Sequence, residues 1–215
     1  MTAKIKLNAA SGGGSFSLQA PSSSANTRVM TLPDTADGTI LTTTNPKSGN
    51  IIQVVATNLI YDSSVSIPNG SLADTPHTVT ITSTAANSKF LISASISGEA
   101  SIPDHNTAFV LRRVIGGTAT SINVGNNGGS SRPAVTFMSN QGYYDNNNTS
   151  TAMTTVMSPY LDSPGQAAST AITYKISLIG MDTTGTFYFG RTASDANNNQ
   201  NERLSNWITV MEVAA

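Results

Sequence analysis

From residue 51 onward, apolar and polar side chains alternate in short runs. KFLISASISGEA is the clearest: Phe90, Ile92, Ala94 and Ile96 fall on one side, and Leu91, Ser93, Ser95, Ser97 and Glu99 on the other. Successive side chains of an extended strand point to opposite faces, so this spacing predicts a strand packed on one face and wetted on the other. HTVTITST sets Val79 and Ile81 against threonines, and TAFVLRRVI sets Phe109, Leu111 and Arg113 against Val110, Arg112 and Val114. Further strands are expected at NIIQVVAT, TSINVG, AVTFMS, TTVMSPY, TAITYKISLIG, TFYFGR and NWITVMEV. Turn clusters lie between them: SIPNGSLADTP, GNNGGSSRP, QGYYDNNNTS, LDSPGQAAS, MDTTG and ASDANNNQN. About ten short strands at this spacing, with no helical period, predict an all-β sandwich or barrel.

Two runs break the rule. IIQVV and ITYKISLIG read as apolar on both faces. A strand of that kind needs cover on both sides. A neighbouring subunit would supply the second cover; so would burial as an inner strand, or a local loop.

Residues 1–50 follow a different pattern. AASGGGS is flexible or turn-rich, SFSLQAP alternates Phe16 and Leu18 before stopping at Pro21, RVMTL stops at Pro33, and DGTILTT opens on an Asp-Gly turn. These pieces are too short and too far apart to close a core. They are read as an extended N-terminal region that gains structure from neighbours, either by winding with other copies into a short stalk or as a docking arm. The expected division is therefore 1–50 and 51–215.

Composition narrows the function. Charged residues make up 11% of the chain, against roughly 25% in an ordinary soluble domain. Ser, Thr, Asn, Gly and Ala take their place, as is common in extracellular and virion fibrous proteins. Eleven basic and 12 acidic side chains leave a net charge of −1. No basic stripe is present to neutralise a phosphate backbone, so nucleic acid is not an expected partner. The absence of cysteine excludes disulfides, thiolate metal sites and a Cys nucleophile. The N-terminus has no apolar core of a secretory signal, and no apolar run approaches the ~18 residues of a membrane-spanning helix.

Catalytic patterns are weak. His77 is expected to open a strand after Thr75 and Pro76; His105 stands beside Asp104 in IPDHNT and reads as part of a solvated turn. Two distant histidines make no zinc set, and no G-x-S-x-G elbow occurs. Most aspartates sit in turns, where Asp binds its own backbone. No pattern holds two carboxylates at the ~5–9.5 Å separation of a glycosidase pair. DANNNQNE lacks the alternating acidic spacing of an EF-hand loop, and the glycines at 12–14 make no phosphate loop. No catalytic residue, metal site or cofactor is assigned.

Three places carry other expectations. QGYYDNNNTS places Tyr143 and Tyr144 beside Asp145 and Asn146. Aromatic faces next to amides and carboxylates are what a saccharide- or protein-reading loop uses, so these four residues are assigned to surface recognition; the alternative is a tyrosine packed down as a loop anchor. Trp207, the single tryptophan, with Ile208 and Val210, is read as a core or oligomer-interface anchor. Arg112-Arg113 places one arginine, Arg113 by the alternation, on the inward side: either the strand ends there or the arginine pairs across an interface, since an unpaired buried guanidinium costs several kcal/mol. Glu212 and Glu99 are the candidates.

The C-terminal stretch YLDSPGQAASTAITYKISLIG…TFYFGR…LSNWITVMEVAA resembles the TNF/C1q-like jelly rolls at the ends of phage and marine-virus fibre proteins. The matching elements are the turn Asp162–Gly165, the strand Ile172–Leu178, the aromatics Phe187–Phe189, the Asn-rich loop Asn197–Asn201 and the last strand Ile208–Val213. FSLQAP…RVMTLPDTADGTILTT similarly resembles the leader of tail-fibre and other virion appendage proteins. The resemblance implies an antiparallel jelly-roll sandwich and a homotrimer whose axis is lined by one sheet from each subunit. It also implies a place on the virion surface, with residues 1–50 contacting other virion structural proteins and the domain meeting a host surface glycan or protein, without membrane insertion. The leading expectation is a phage fibre or receptor-binding component with no enzymatic activity. A capsid decoration or head-fibre protein is the alternative, and a glycan depolymerase the third. The first strand, Ile51–Ala56, is expected beside the last, Trp207–Val213, as in jelly rolls whose chain ends meet.

Overall fold

The computed structural model describes residues 4–19, 22–27, 29, 46–59, 62–102, 106–127, 129, 131–139, 151–182 and 184–215. The chain divides into two compact units, Met1–Ile40 and Leu41–Ala215.

In the first unit, β1 (Lys4–Asn8) and β2 (Ser15–Gln19) form an antiparallel hairpin. Ile5 stands opposite Leu18 and Leu7 opposite Phe16. Lys4 and Lys6 alternate with the apolar residues of β1, so they occupy the other face. KIKLN is a strand that no sequence expectation covers. Its alternation is only five residues long and becomes a strand because AASGGGS folds back, with Gly12 and Gly13 at φ of 83° and 72°. The strands expected at RVMTL and DGTILTT fall on residues outside the described set, apart from Val29.

The second unit holds eleven strands: β3 (Ile51–Leu59), β4 (Ser63–Ile67), β5 (Ala73–Thr82), β6 (Lys89–Ala100), β7 (Thr107–Ile115), β8 (Thr118–Ser121), β9 (Phe137–Met138), β10 (Met153–Asp162), β11 (Ala171–Gly180), β12 (Gly185–Phe189) and β13 (Asn206–Val213). No helix occurs among the described residues. β6 organises one sheet. β10 runs along one of its edges; β13 takes the first part of the other edge and β12 its last three residues. β3 lies outside β13 and β4 outside β12. In the second sheet β11 sits between β5 and β7, and β8 and β9 share the far edge of β7. All these pairings are antiparallel. The chain changes sheet between β4 and β5, β5 and β6, β6 and β7, β9 and β10, β10 and β11, and β11 and β12. This is an all-β jelly-roll sandwich, the expected fold class. The chain ends meet: Trp207 pairs with Asn58 and Val213 with Ile51.

The alternating residues build the core. Phe90, Ile92, Ala94 and Ile96 of β6 pack with Ile208 and Val210 of β13, against Ile172, Tyr174, Ile176 and Leu178 of β11 and Phe109 and Leu111 of β7. An aromatic chain crosses the interior, with ring centroids 5.2 Å apart for Phe137–Phe109, 5.5 Å for Phe109–Phe187 and 4.8 Å for Phe187–Phe189. Gly98 lets β12 close on β6. A Cβ there would lie 2.1 Å from the Tyr188 carbonyl oxygen and 2.7 Å from the Phe187 ring, so no larger residue fits that approach.

Four local expectations change. ITYKISLIG is not apolar on both faces: Ile172, Tyr174, Ile176 and Leu178 point inward, while Thr173, Lys175 and Ser177 share the outer side with Ile179. Ser95, Ser97 and Glu99, expected to be wetted, are buried. The backbone of residues 190 and 193 bonds to Ser97 and Glu99, and Ser97 also binds Ser205 and Thr154, so the β12–β13 connection folds over that end of β6. β4 arises in SSVSI, where serines between Val65 and Ile67 mute the pattern; its partner β12 places Phe187 opposite Val65. β5 begins at Ala73 and runs through Pro76, a residue expected in the preceding turn. Proline is tolerated because β5 is an edge strand whose register shifts there, and the Thr75 hydroxyl donates to the Ile176 carbonyl at 2.7 Å.

Candidate functional site

The outer face of the β6 sheet carries an apolar row made by four separate strands. Leu161 of β10 stands opposite Leu91 of β6, Leu91 opposite Met211 of β13, and Met211 opposite Val54 of β3. Ile51 and Val213 pair on one side of the row; on the other, Trp207 and Val156 both stand opposite Ser95. Leu161 is 47% exposed, Val54 55%, Ile51 57% and Val156 60%. Lys89, at the margin, is the one charged residue at these facing positions. The outer face of the other sheet differs. Asp74 there binds Lys175 and Ser177 and lies 3.7 Å from Arg112. Burial first raises the Asp74 carboxyl, but the Lys175 and Ser177 hydrogen bonds and the two cations hold its pKa below the usual value. The row is therefore suited to apolar contact, whereas the ionic group around Asp74 fits the other sheet's outer face to water.

Inside, three polar groups tie the two sheets together. Asp162 ends β10, is 3% exposed, and accepts two hydrogen bonds from Arg113 Nη1, at 2.7 and 2.9 Å, and one from the Tyr174 hydroxyl at 2.8 Å. Arg113 thus points inward as expected, but its partner is neither Glu212 nor Glu99. The sequence expectation for Asp162 is a turn; the end of β10 instead brings it beneath β7 and β11. Burial, with the Asp162 carboxylate beside it, pushes the Tyr174 phenol far up. Glu212 accepts from Gln53 Nε2 at 2.6 Å and from the Thr84 N–H at 2.8 Å, holding the β5–β6 turn. Burial raises its pKa, yet the hydrogen bonds from Ser88, Gln53, Thr84 and Ala85 outweigh that and hold it below the ordinary value.

The third group is His77. Expected to open a strand, it lies inside β5 and is fully buried, its ring 5.2 Å from Phe189. The sequence signal for burial is its spacing, since positions 77, 79 and 81 share one strand face. Its Nε2 lies 3.3 Å from Asn206 Oδ1 and its Nδ1 3.3 Å from Thr75 Oγ1. Burial depresses its pKa to about 4, with the Asn206 contact opposing.

One end of the sandwich is ordered by charge. Arg191 pairs with Asp62 and lies over the Tyr188 ring, 4.1 Å from its centroid; Arg203 reaches Asp62 at 3.3 Å and also binds Asp195. Asn201 Oδ1 accepts from Thr192 at 2.7 Å and Ser194 at 2.6 Å, so part of the Asn-rich loop is spent on its own fold. Glu99 accepts from the Ala193 N–H at 2.8 Å; burial raises its pKa, and nearby Glu202 adds to the rise.

Ile208 and Val210 are fully buried in the core, and Trp207 is half-buried on the outer face. Tyr143, Tyr144, Asp145 and Asn146 lie outside the described residues, as do Asp104 and His105. Among the described residues no three His, Asp or Glu side chains group as a metal site would require. No helix of the described residues is long and apolar enough to cross a membrane.

No protein-family model matches the chain, and no curated protein matches it. Solved structures give distant likenesses. One is a structure of the infectious bursal disease virus Gx strain, 13% identical, covering 94% of this chain and 47% of that one with a TM-score of 0.37. Another is the VP2 subviral particle of infectious bursal disease virus, 13% identical, covering 92% of this chain and 51% of that one with a TM-score of 0.36. The chain spans about half the length of either structure.

Proposed function

We propose that this protein is a virion structural protein, a self-associating subunit of a phage fibre or receptor-binding appendage that attaches to the host surface without catalysis. The observation that carries the self-association is the row Leu161–Leu91–Met211–Val54, an uncharged apolar line on one face of the sandwich. A stable interface buries about 800 Å² per partner. Four side chains do not supply that, so Ile51, Val156 and Trp207 belong to the same contact. Identical faces can meet around an axis without burying a charge, as the trimer implied by the family resemblance requires. The low charge content and the jelly-roll architecture agree with the virion reading.

The second reading is a capsid decoration or head-fibre protein. It is favoured by the hairpin, whose strands of five residues each are short for a stalk and leave Ile5 65% and Leu7 57% exposed. An amphipathic ribbon of that size is marginal in water and gains stability by docking on other virion proteins.

Sedimentation across a dilution series tests self-association. The wild type is expected to sediment as a trimer, and the double variant Leu91→Lys, Met211→Lys as a folded monomer with unchanged circular dichroism. A wild type that stays a folded monomer at concentrations of about 100 μM would overturn the reading. Attachment is tested separately on the loop. Tyr143→Ala with Tyr144→Ala is expected to cut binding to host cells at least tenfold and leave assembly and melting unchanged. Loss of the oligomer in that variant would assign the tyrosines to structure instead.

A further inference from the structure

The hydrogen bonds around His77 do not close. Asn206 Oδ1 already accepts the Ser97 N–H at 2.6 Å, so the amide oxygen, not the nitrogen, faces the ring. Thr75 Oγ1 gives its proton to the Ile176 carbonyl and accepts the His77 N–H. The imidazole therefore looks at an acceptor from each nitrogen. A neutral ring has a single N–H and satisfies only one of them. The other side of the amide is no better placed: Asn206 Nδ2 is buried without a partner. A charged ring would satisfy both acceptors, but it would sit fully buried among Phe189, Asn206, Thr75 and the Ile176 carbonyl, none of which is charged. The contact joins β5 of one sheet to β13 of the other.

We propose that His77 is an acid release built into the sandwich: a proton taken up when β5 parts from β13 cannot be kept when the sheets close, so acidification favours the open state. An unfolded histidine titrates near 6.5, and His77 in the fold near 4. Stability from this group is present in full above pH 6.5 and falls by up to tenfold in the folding constant per pH unit between 6.5 and 4. Glu212 and Asp74, held low, lose their contribution only below their ordinary carboxylate range. Glu99, held high, acts with the opposite sign above about pH 4.5. The difference between variants isolates the histidine.

Urea unfolding of the full chain at pH 7, 6 and 5 is the test. The folding constant of the wild type, divided by that of His77→Leu, is expected to drop by about sevenfold between pH 6 and pH 5. In Asn206→Asp the new carboxylate stands 3.3 Å from Nε2 and favours the charged ring, so the acid loss is expected to vanish. Histidine C2–H resonances, of which the chain has two, give a readout that needs no variant. One should stay in its neutral position down to pH 5 in the folded protein. Parallel pH profiles for wild type and His77→Leu, or two histidines that both titrate near 6.5, would overturn the proposal.

Discussion

Asp162→Ala is expected to destabilise the jelly roll by about 3 kcal/mol, read as a lower urea midpoint at an unchanged slope. Asp162 is the meeting point of three strands. It accepts from Arg113 of β7 and Tyr174 of β11, and reaches them from the end of β10 in the opposite sheet. Removing it leaves a guanidinium and a phenol pointing at a hole. The Arg113 side chain keeps 22% of its surface in water, which places the loss at the lower end of the range for breaking a buried pair. Asp162→Asn, which keeps an acceptor for Tyr174 but no charge for Arg113, should lose roughly half as much. A loss below about 0.5 kcal/mol in the alanine variant would show that solvent reaches Arg113 freely and that the clamp contributes nothing.

Phe109→Ala should have an effect at least as large, about 3–5 kcal/mol. The ring is fully buried in β7. It meets Phe137 of its own sheet and, edge-on at 87°, Phe187 of the other. Its removal subtracts apolar burial and opens a cavity in the middle of the aromatic chain, which two rigid sheets cannot collapse to fill. Phe109→Leu keeps most of the volume and should recover more than half of the loss. Equal stability of the alanine and leucine variants would mean that the cavity closes, and that the sheets are less rigid than their packing implies.

The strand pattern was legible because burial acts locally. KFLISASISGEA, HTVTITST and NWITVMEV each carry their inward face in alternate residues, and each is a strand of the sandwich. The side-by-side placement of the first and last strands was implied by the jelly-roll resemblance, not by the alternation, and the pairing of β3 with β13 bears it out. Serine-rich SSVSI and short KIKLN escaped because their apolar residues are too few to mark a face without a partner. The candidate interface was only half legible. IIQVV did hold the exposed Ile51 and Val54, but ITYKISLIG alternates inward and outward like its neighbours.

By itself, then, the chain determined its class: alternation with a period of two, Gly- and Asn-rich turns and the absence of a helical period leave an all-β sandwich or barrel as the way to bury its apolar faces. Register and sheet stacking decided the rest. Leu161, Leu91, Met211 and Val54 form one line, Asp162 lies under Arg113 and Tyr174, and His77 faces Asn206 from the opposite sheet. These residues are tens of positions apart, and no local preference encodes which strand will stand beside which. Pairing and stacking are chosen by the packing of the whole core, so side chains that carry no signal alone acquire a partner, or a bare face, only in three dimensions.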